Sequence, residues 1–217
     1  MEHKNPIVAF SGGKDSLITL HLVRSIAPDT PAVFNNTGVE FPETTQFCRT
    51  IPNLIELKPE ISFWECVERY GFPRIKMNNP YRGNQCCAYL KEKPALKYYK
   101  EHGIDLIFTG MTMAESRQRM LHFKHRGPYY FVKTQGIWKC SPIFDWTEGE
   151  VWQYIDHHQL AYNAIYDRGA RRCGCGPCTA YLSWKKSLAQ LNPKMLRQIL
   201  KMQGQAQLEF DCQGEVI

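Results

Sequence analysis

Residues 7–23 read IVAFSGGKDSLITLHLV, and the order of residue types in this stretch decides the fold. The apolar run from Ile7 to Phe10 predicts a buried strand, and the run from Leu17 to Val23 predicts the start of a helix. Between the two runs, Gly12 and Gly13 permit a tight turn that other residues resist. A strand, a turn and a helix in this order form the repeating unit of an α/β fold.

The loop between that strand and that helix has the composition of an anion-binding site. The unpaired N–H groups of the first helical turn and the positive end of the helix dipole face any anion at the junction. Lys14 adds a positive charge, whereas Asp15 either orients Mg²⁺ or caps the loop. The pattern is neither the Walker sequence nor the dinucleotide-binding glycine pattern, and a surface turn with a helix cap is the alternative interpretation. The candidate loop residues are Ser11, Gly12, Gly13, Lys14, Asp15 and Ser16.

Strands and helices alternate along most of the remaining chain. Apolar runs predict strands at 31–35, 53–57 and 105–109, and helical periodicity predicts helices at 62–70 and 91–101. This alternation indicates an α/β fold with a doubly wound, mainly parallel sheet flanked by helices. Ligands of such a sheet gather at the carboxyl ends of its strands, where the glycine loop lies.

The pattern changes after residue 127. Short β-like runs at 129–132 and 137–140 predict a hairpin at the edge of the sheet. Thr147, with Glu150 three residues later, predicts a capping box and a helix that ends near His157.

Length and composition indicate one domain inside the cell. The chain has 217 residues, of which 43% are hydrophobic, and we expect a domain at 1–192 with a small C-terminal helical extension at 193–217. The net charge of +6 suits polyanionic partners or nucleotides. No run approaches the roughly 18 apolar residues of a membrane helix, and a strand that begins by Ile7 leaves no room for a signal peptide. We therefore expect a cytoplasmic protein without membrane contact.

Four of the nine cysteines form two close pairs. Cys86 and Cys87 are adjacent, and Cys175 and Cys178 enclose a Gly-Pro dipeptide. Two pairs of thiolates suit zinc or an iron–sulfur cluster, and adjacent cysteines favour the larger [4Fe–4S] cluster over tetrahedral zinc. Buried thiols beside a redox Cys-x-x-Cys are the alternative. Outside the two pairs, Cys173 is a candidate fifth ligand, and Cys48, Cys66 and Cys140 are predicted core thiols.

The chain resembles the phosphoadenosine phosphosulfate (PAPS) reductase family of the PP-loop ATP pyrophosphatase superfamily, also called adenine nucleotide alpha hydrolase-like. The Ser-Gly-Gly-Lys-Asp-Ser loop carries part of this resemblance, and the other motifs extend it over nearly the whole chain. The resemblance implies nucleotide binding in the loop and, in cluster-bearing members, a [4Fe–4S] cluster on the four paired cysteines. The motifs are Thr37-Gly38-x-Glu40-Phe41-Pro42-Glu43-Thr44, Cys86-Cys87 with Leu90-Lys91, Thr109-Gly110 with Glu115-Ser116-x-x-Arg119, Pro142-Ile143-x-Asp145-Trp146-Thr147-Glu148, Tyr162-Asn163 with Tyr166-Asp167-x-Gly169, and Arg172-x-Gly174-Cys175-x-x-Cys178.

Two departures separate the chain from thioredoxin-dependent reductases of that family. Those reductases carry a nucleophilic cysteine in a C-terminal Glu-Cys-Gly-Leu-His segment, whereas Cys212 of this chain stands in a different sequence. Thr112 stands where the reductase pattern has an arginine, and threonine cannot replace guanidinium in binding an anion. The intact loop resembles that of members that bind the whole ATP triphosphate.

These features predict an ATP pyrophosphatase that activates a nucleic acid for sulfur insertion, similar to the iron–sulfur subunit of DNA phosphorothioation systems. The expected cofactors are ATP, Mg²⁺ and the cluster, and the expected partners are the nucleic acid, a cysteine desulfurase and a second copy of the chain. A sulfonucleotide reductase that uses Cys212 and a non-catalytic, nucleotide-sensing subunit are the alternatives. Predicted catalytic residues are Lys14, Asp15, Arg119 and Cys212. Predicted nucleotide contacts outside the loop are Thr37, Gly38, Gly110 and Arg172, with Arg117 and Arg171 as further phosphate-binding candidates.

Overall fold

The computed structural model describes residues 2–74 and 85–204. Within these ranges, six strands form one sheet in the order β3-β2-β1-β4-β6-β5. Strands β1 to β4 and β6 run parallel, and β5 pairs with β6 in the antiparallel direction. The predicted mainly parallel sheet and its edge hairpin are thereby confirmed. The strands are β1 (Pro6–Ala9), β2 (Ala32–Asn35), β3 (Leu54–Leu57), β4 (Leu106–Thr109), β5 (Tyr129–Val132) and β6 (Ile137–Cys140).

Helices connect the parallel strands and cover both faces of the sheet. Because α1 (Lys14–Ile26) follows β1 directly, the glycine loop lies at the carboxyl end of a central strand. The other helices before the hairpin are α2 (Pro42–Arg49), α3 (Phe63–Tyr70), α4 (Gln85–Cys87), α5 (Lys93–Glu101) and α6 (Arg117–Arg126). Helices α7 (Glu148–His157), α8 (Trp184–Leu191) and α9 (Pro193–Met202) follow the hairpin.

The hydrophobic core lies on the two faces of the sheet. On one face, α1 and α7 pack together, and their Ile18 and Val151 side chains are fully buried. On the other face, Ala95 and Tyr99 of α5 pack against the strands. Helices α1, α5 and α7 bury residues at the spacing that brings one side of a helix onto a sheet. This burial holds the sheet rigid beneath the loops at its carboxyl edge.

Helix α7 begins as its sequence predicts. The Thr147 hydroxyl accepts a hydrogen bond from the Glu150 N–H at 3.3 Å, and the Glu150 carboxylate accepts one from the Thr147 N–H at 2.7 Å. This is the predicted capping box, and the helix ends at His157 as expected.

The C-terminal helices share a core with the rest of the protein. Leu188 of α8 and Ile199 of α9 are fully buried in a cluster that also contains Phe41 and Ile165. The predicted helical extension after residue 192 contains α9, whereas α8 has no counterpart among the helices predicted from the sequence. A boundary at residue 192 stays a prediction. None of the described helices is both long and apolar enough to cross a membrane.

Candidate functional site: a nucleotide cavity beside a cysteine cavity

The loop between β1 and α1 closes on itself through its serines. The Ser11 N–H donates to the Ser16 hydroxyl at 3.2 Å, and that hydroxyl donates to the Gly13 carbonyl at 2.9 Å. Gly13 stands at the N-cap of α1 and has no side-chain oxygen to satisfy the first helical turn. The loop thus presents backbone N–H groups and the positive end of α1 to a ligand, as an anion site requires.

Two residues from a distant segment hold the loop in this shape. The fully buried Asn163 amide donates to the Gly12 carbonyl at 3.2 Å and to the Thr44 hydroxyl at 2.9 Å. The Tyr166 hydroxyl accepts a hydrogen bond from the Lys14 N–H at 3.0 Å. Burial raises the pKa of Tyr166, and the nearby Cys173 raises it further, so this hydroxyl stays neutral. The family motifs contain both residues, but their supporting role emerges only from the three-dimensional contacts.

Two glycines are required by close backbone approach. Gly12 has a φ of +73°, and a Cβ there would lie 2.8 Å from the Cys48 sulfur. A Cβ on Gly110 would lie 2.6 Å from the backbone carbonyl carbon and oxygen of Asp15. Only glycine lets the end of β4 come this close to the first turn of α1. Gly110 therefore shapes the site, and because it also lines the cavity in front of the loop, its predicted nucleotide contact stays a prediction.

A cavity of about 610 Å³ opens in front of the loop. Its lining includes every residue of the glycine loop except Gly12, and four of the lining side chains are cationic. Burial lowers the pKa of Arg119, and the positive charge of Arg172 lowers it further. Such an electrostatic effect requires the two guanidinium groups to lie near each other. Adjacent cations repel each other unless an anion lies between them, so the cavity is suited to a phosphate-bearing ligand. The four cations are Lys14, Arg119, Arg171 and Arg172.

Carboxylates also line this cavity. The Lys14 ammonium lies 2.9 Å from the Asp15 carboxylate and 4.0 Å from the exposed Glu148 carboxylate. Oxygen ligands of this kind suit Mg²⁺, so Asp15 fits the predicted magnesium site and Glu148 is a second candidate. In the sequence, Glu148 belongs to a family motif, but no local pattern marks it as a metal ligand.

Thr112 has a structural role in place of the arginine of reductases. It is 3% exposed, and its N–H donates to the Glu115 carboxylate at 3.2 Å in a second capping box. Glu115 in turn forms an ion pair with Arg119. Thr112 thus fixes the turn that leads to Arg119, while Arg117 is exposed and lies outside the cavity lining among the described residues.

The two cysteine pairs meet in a second cavity, of about 90 Å³. Cys86 and Cys87 lie on α4, which continues into a π-helical stretch at Ala88–Glu92. Cys175 forms an isolated bridge with Glu40, and all four paired cysteines, Cys178 included, line the cavity. A π-helical turn reorients the residues of a helix and frequently accompanies functional sites.

The donor set of this cavity fits a sulfur-ligated cluster. Within 2–74 and 85–204, no three His, Cys, Asp or Glu side chains converge as ligands of a single metal ion would. The four paired cysteines line this one cavity, and thiolate sulfur is the ligand that iron–sulfur clusters take. Burial alone would lower the pKa of Lys91, but the adjacent Cys175 and Cys87 and the Glu40 carboxylate raise it. Lys91 thus supplies a positive charge beside the sulfur ligands.

Two predicted residues, Thr37 and Gly38, lie away from the nucleotide cavity. Thr37 is buried, and its hydroxyl lies 2.7 Å from the Glu40 carboxylate and 3.5 Å from the Cys175 sulfur. Gly38 continues this turn, with its N–H bonded to the Asn36 side chain at 2.9 Å. Both residues belong to the turn that lies beside Cys175, and neither is among the described residues that line the nucleotide cavity. The predicted catalytic residue Cys212 lies outside the described residues, and its role stays a prediction.

Cys173 lies with the nucleotide loop and is not among the residues that line the cysteine cavity in the described chain. Its thiol lies 3.4 Å from the Gly12 carbonyl oxygen and accepts from the Asn163 amide at 3.3 Å. This position gives no support to its predicted role as a fifth ligand. Cys48 and Cys66 are buried as predicted, and Cys140 is partly buried.

The sequence of the chain is similar to that of a known protein family and of several known proteins. The phosphoadenosine phosphosulfate reductase domain matches residues 5–181. An uncharacterized protein of Methanocaldococcus jannaschii is 36% identical over 187 residues, which cover 82% of this chain and 37% of the relative. An adenosine 5'-phosphosulfate reductase of Staphylococcus haemolyticus is 32% identical over 183 residues, or 80% of this chain and 70% of that enzyme.

The structural likeness agrees. The phosphate complex of the PAPS reductase from Candida auris matches with a TM-score of 0.60 at 23% identity, covering 79% of this chain and 81% of that one. This likeness confirms the predicted fold. The chain spans 37% and 41% of the lengths of two M. jannaschii relatives that it matches. The domain match over residues 5–181, together with the 32% identity to a reductase of which 70% is covered, shows that the chain belongs to the phosphoadenosine phosphosulfate reductase domain family.

Proposed function

We propose that the protein is an ATP pyrophosphatase that activates a nucleic acid for sulfur insertion with the help of a [4Fe–4S] cluster. The observation that carries the proposal is the nucleotide cavity, in which Lys14, Arg119 and Arg172 face an intact loop of backbone N–H groups. This arrangement suits a triphosphate, because charge spread over several phosphates can meet cations on separate elements.

The loop residues would act on the leaving group. An oxygen of the acceptor attacks the α-phosphorus of ATP, the bond to the β-phosphate oxygen breaks, and pyrophosphate leaves with the electron pair. Lys14 and the first-turn N–H groups of α1 lie where they would stabilise that charge. Mg²⁺, when bound, neutralises phosphate charge, and Asp15 and Glu148 would hold it. AMP then leaves the adenylated acceptor when sulfur attacks.

The four paired cysteines would hold the cluster, because they share one cavity and sulfur is the preferred ligand of iron–sulfur centres. The cluster, when bound, supplies a site that holds or delivers sulfur. A cysteine desulfurase is the partner whose chemistry would supply that sulfur.

The outer face of α6 supports a nucleic acid as the acceptor. Helix α6 contains Arg119 of the nucleotide cavity in its first turn, and its ten residues contain no acid. Arg117, Lys124 and His125 are exposed along this helix, which is about 15 Å long at 1.5 Å per residue. A phosphate backbone is the ligand that such a charge pattern favours.

The deciding experiment offers ATP and sulfonucleotides side by side to anaerobically prepared protein. We expect a visible spectrum and iron and sulfide counts of a [4Fe–4S] cluster, and pyrophosphate release from ATP. Release of sulfite from PAPS or adenosine phosphosulfate with thioredoxin, without turnover of ATP, would refute the proposal.

A sulfonucleotide reductase is the second candidate, favoured by the 32% identical relative that carries the name adenosine 5'-phosphosulfate reductase. In that case Cys212 would be the nucleophile, and Cys212→Ser would abolish sulfite release. Unchanged sulfite formation by this variant would exclude the Cys212 mechanism.

A further inference from the structure

The nucleotide cavity and the cysteine cavity share two lining residues, Arg172 and Tyr181. The Arg172 guanidinium carbon lies 5.2 Å from the centre of the Tyr181 ring, a distance at which a cation and an aromatic face attract each other. Arg172 is solvent-exposed, so the tyrosine ring is what orients it between the two cavities.

Neighbouring cations in the described chain serve one cavity each. Arg171 lines the nucleotide cavity and is absent from the lining of the cysteine cavity, whereas Lys91 shows the reverse. Arg172 therefore differs from both in position, although all three side chains are basic.

Both expected occupants are anions. A nucleotide carries phosphate charge, and an iron–sulfur cluster held by four thiolates carries net negative charge. A guanidinium has five N–H donors in a planar fork, so one side chain can donate to phosphate oxygens along one edge and to sulfur along another.

We propose that Arg172, held by the Tyr181 ring, is a shared positioning residue that donates to the nucleotide phosphates and to the iron–sulfur cluster at the same time. This inference rests on the proposed function, since it requires a nucleotide in one cavity and a cluster in the other. Its consequence is a fixed distance between the activated phosphate and the source of sulfur.

The test compares two properties in anaerobically reconstituted full-length protein. The first is the affinity for pyrophosphate, measured by calorimetry on protein without the cluster. The second is the rate at which the cluster bleaches in the presence of an iron chelator, measured at its visible absorbance without nucleotide. Arg172→Ala is compared with Arg171→Ala and Lys91→Ala, and Tyr181→Ala with Tyr181→Phe.

We expect Arg172→Ala to weaken pyrophosphate binding about tenfold to a hundredfold, the loss typical of a charged hydrogen bond. The same variant should lose its cluster about tenfold faster. Arg171→Ala should show only the first effect and Lys91→Ala only the second. Tyr181→Ala should show both effects more weakly, and Tyr181→Phe, which keeps the ring, should behave as the wild type.

Loss of only one property in Arg172→Ala would overturn the inference, as would loss of both properties in Arg171→Ala. These outcomes leave the proposed function intact. A wild-type protein that takes up no iron would instead remove the cluster from the proposed function and the inference with it. Because Arg172 is exposed, circular dichroism should show an unchanged fold in its variant.

Discussion

The two cavities recognise their ligands by different means. The nucleotide cavity depends on backbone geometry, since glycines bring the loop, β4 and the first turn of α1 within contact distance. The cysteine cavity depends on side-chain chemistry, since it joins sulfur atoms from two segments far apart in the sequence. The nucleotide cavity should therefore lose function when the shape or charge of its loop changes, and the cysteine cavity when a single cysteine is replaced.

The strongest way to separate the two sites is Lys14→Ala. Removing a cation that faces the leaving pyrophosphate should lower the rate of pyrophosphate release about a hundredfold or more, as loss of a preorganised charge-stabilising group does. The iron content should not change, because Lys14 lies in the nucleotide cavity. Pyrophosphate release is measured with a coupled phosphate assay, and Lys133→Ala, at an exposed lysine, is the control.

A Lys14→Ala variant with full function in the cell would support a non-catalytic, nucleotide-sensing subunit instead. It would also show that the cationic cavity does not serve catalysis.

The converse variant is Cys175→Ser. Loss of one thiolate should remove most of the cluster, because a serine oxygen is a poor ligand for iron–sulfur centres. Pyrophosphate affinity should stay close to that of the wild-type protein without the cluster, because Cys175 is not among the described residues that line the nucleotide cavity. Iron counts and calorimetry measure the two effects. Cys140→Ser, at a partly buried cysteine in β6, is the matched control and should keep its iron.

Gly110→Ala tests the dependence of the nucleotide cavity on shape. The added methyl group would lie 2.6 Å from the Asp15 backbone, so the end of β4 must move away from α1. We expect a loss of about 1–3 kcal/mol in the free energy of unfolding, the usual cost of overpacking, together with weaker pyrophosphate binding. Urea unfolding measures the first effect.

Gly149→Ala is the control for that variant. A Cβ at Gly149, in the first turn of α7, would come no closer than 3.9 Å to the Thr147 hydroxyl. This substitution should leave the stability unchanged or raise it by up to about 1 kcal/mol. Equal losses from both glycines would show that the contact with Asp15 is unimportant.

The smallest expected effect concerns the thiol behind the loop. Burial, with a smaller contribution from the nearby Cys173, raises the pKa of Cys48 from 9.0 to about 12. Between pH 9 and pH 12 the unfolded chain loses this proton while the folded chain keeps it, so stability falls as the pH rises. Relative to Cys48→Ala, the wild type should lose about 1 kcal/mol more per pH unit in this window.

Urea unfolding at pH 8, 9 and 10 measures the slope of Cys48→Ala against that of the wild type. Parallel slopes would show that Cys48 ionises with an ordinary pKa. Cys48 would then resemble a solvated thiol more than a core residue.

Features encoded by neighbouring residues were predictable from the sequence. The capping box of α7 depends on Thr147 and Glu150 only three residues apart, and the glycine loop is contiguous. Helix α6 was missed because its residues are mostly polar and only Phe123 is buried, which leaves no apolar periodicity to detect.

Contacts between distant segments were not predictable in the same way. Asn163 supports Gly12 across 151 residues, and no local pattern indicates that an asparagine will donate to a loop so far away. Thr37 belongs to a family motif, yet its contact with Cys175 depends on how two loops meet. The motifs identified the residues, and the packing of the sheet determined what each one touches.

The register of the sheet has a consequence for folding. Ile7 of β1 pairs with Ile107 of β4, about a hundred residues later, whereas Val132 pairs with Ile137 across a short turn. Local hairpins form within microseconds, while pairing of distant strands must first overcome the entropy of closing a long loop. Since the nucleotide cavity needs both β1 and β4, we expect it to be completed after the β5–β6 hairpin. Nucleotide binding during refolding would therefore report the final step of chain assembly.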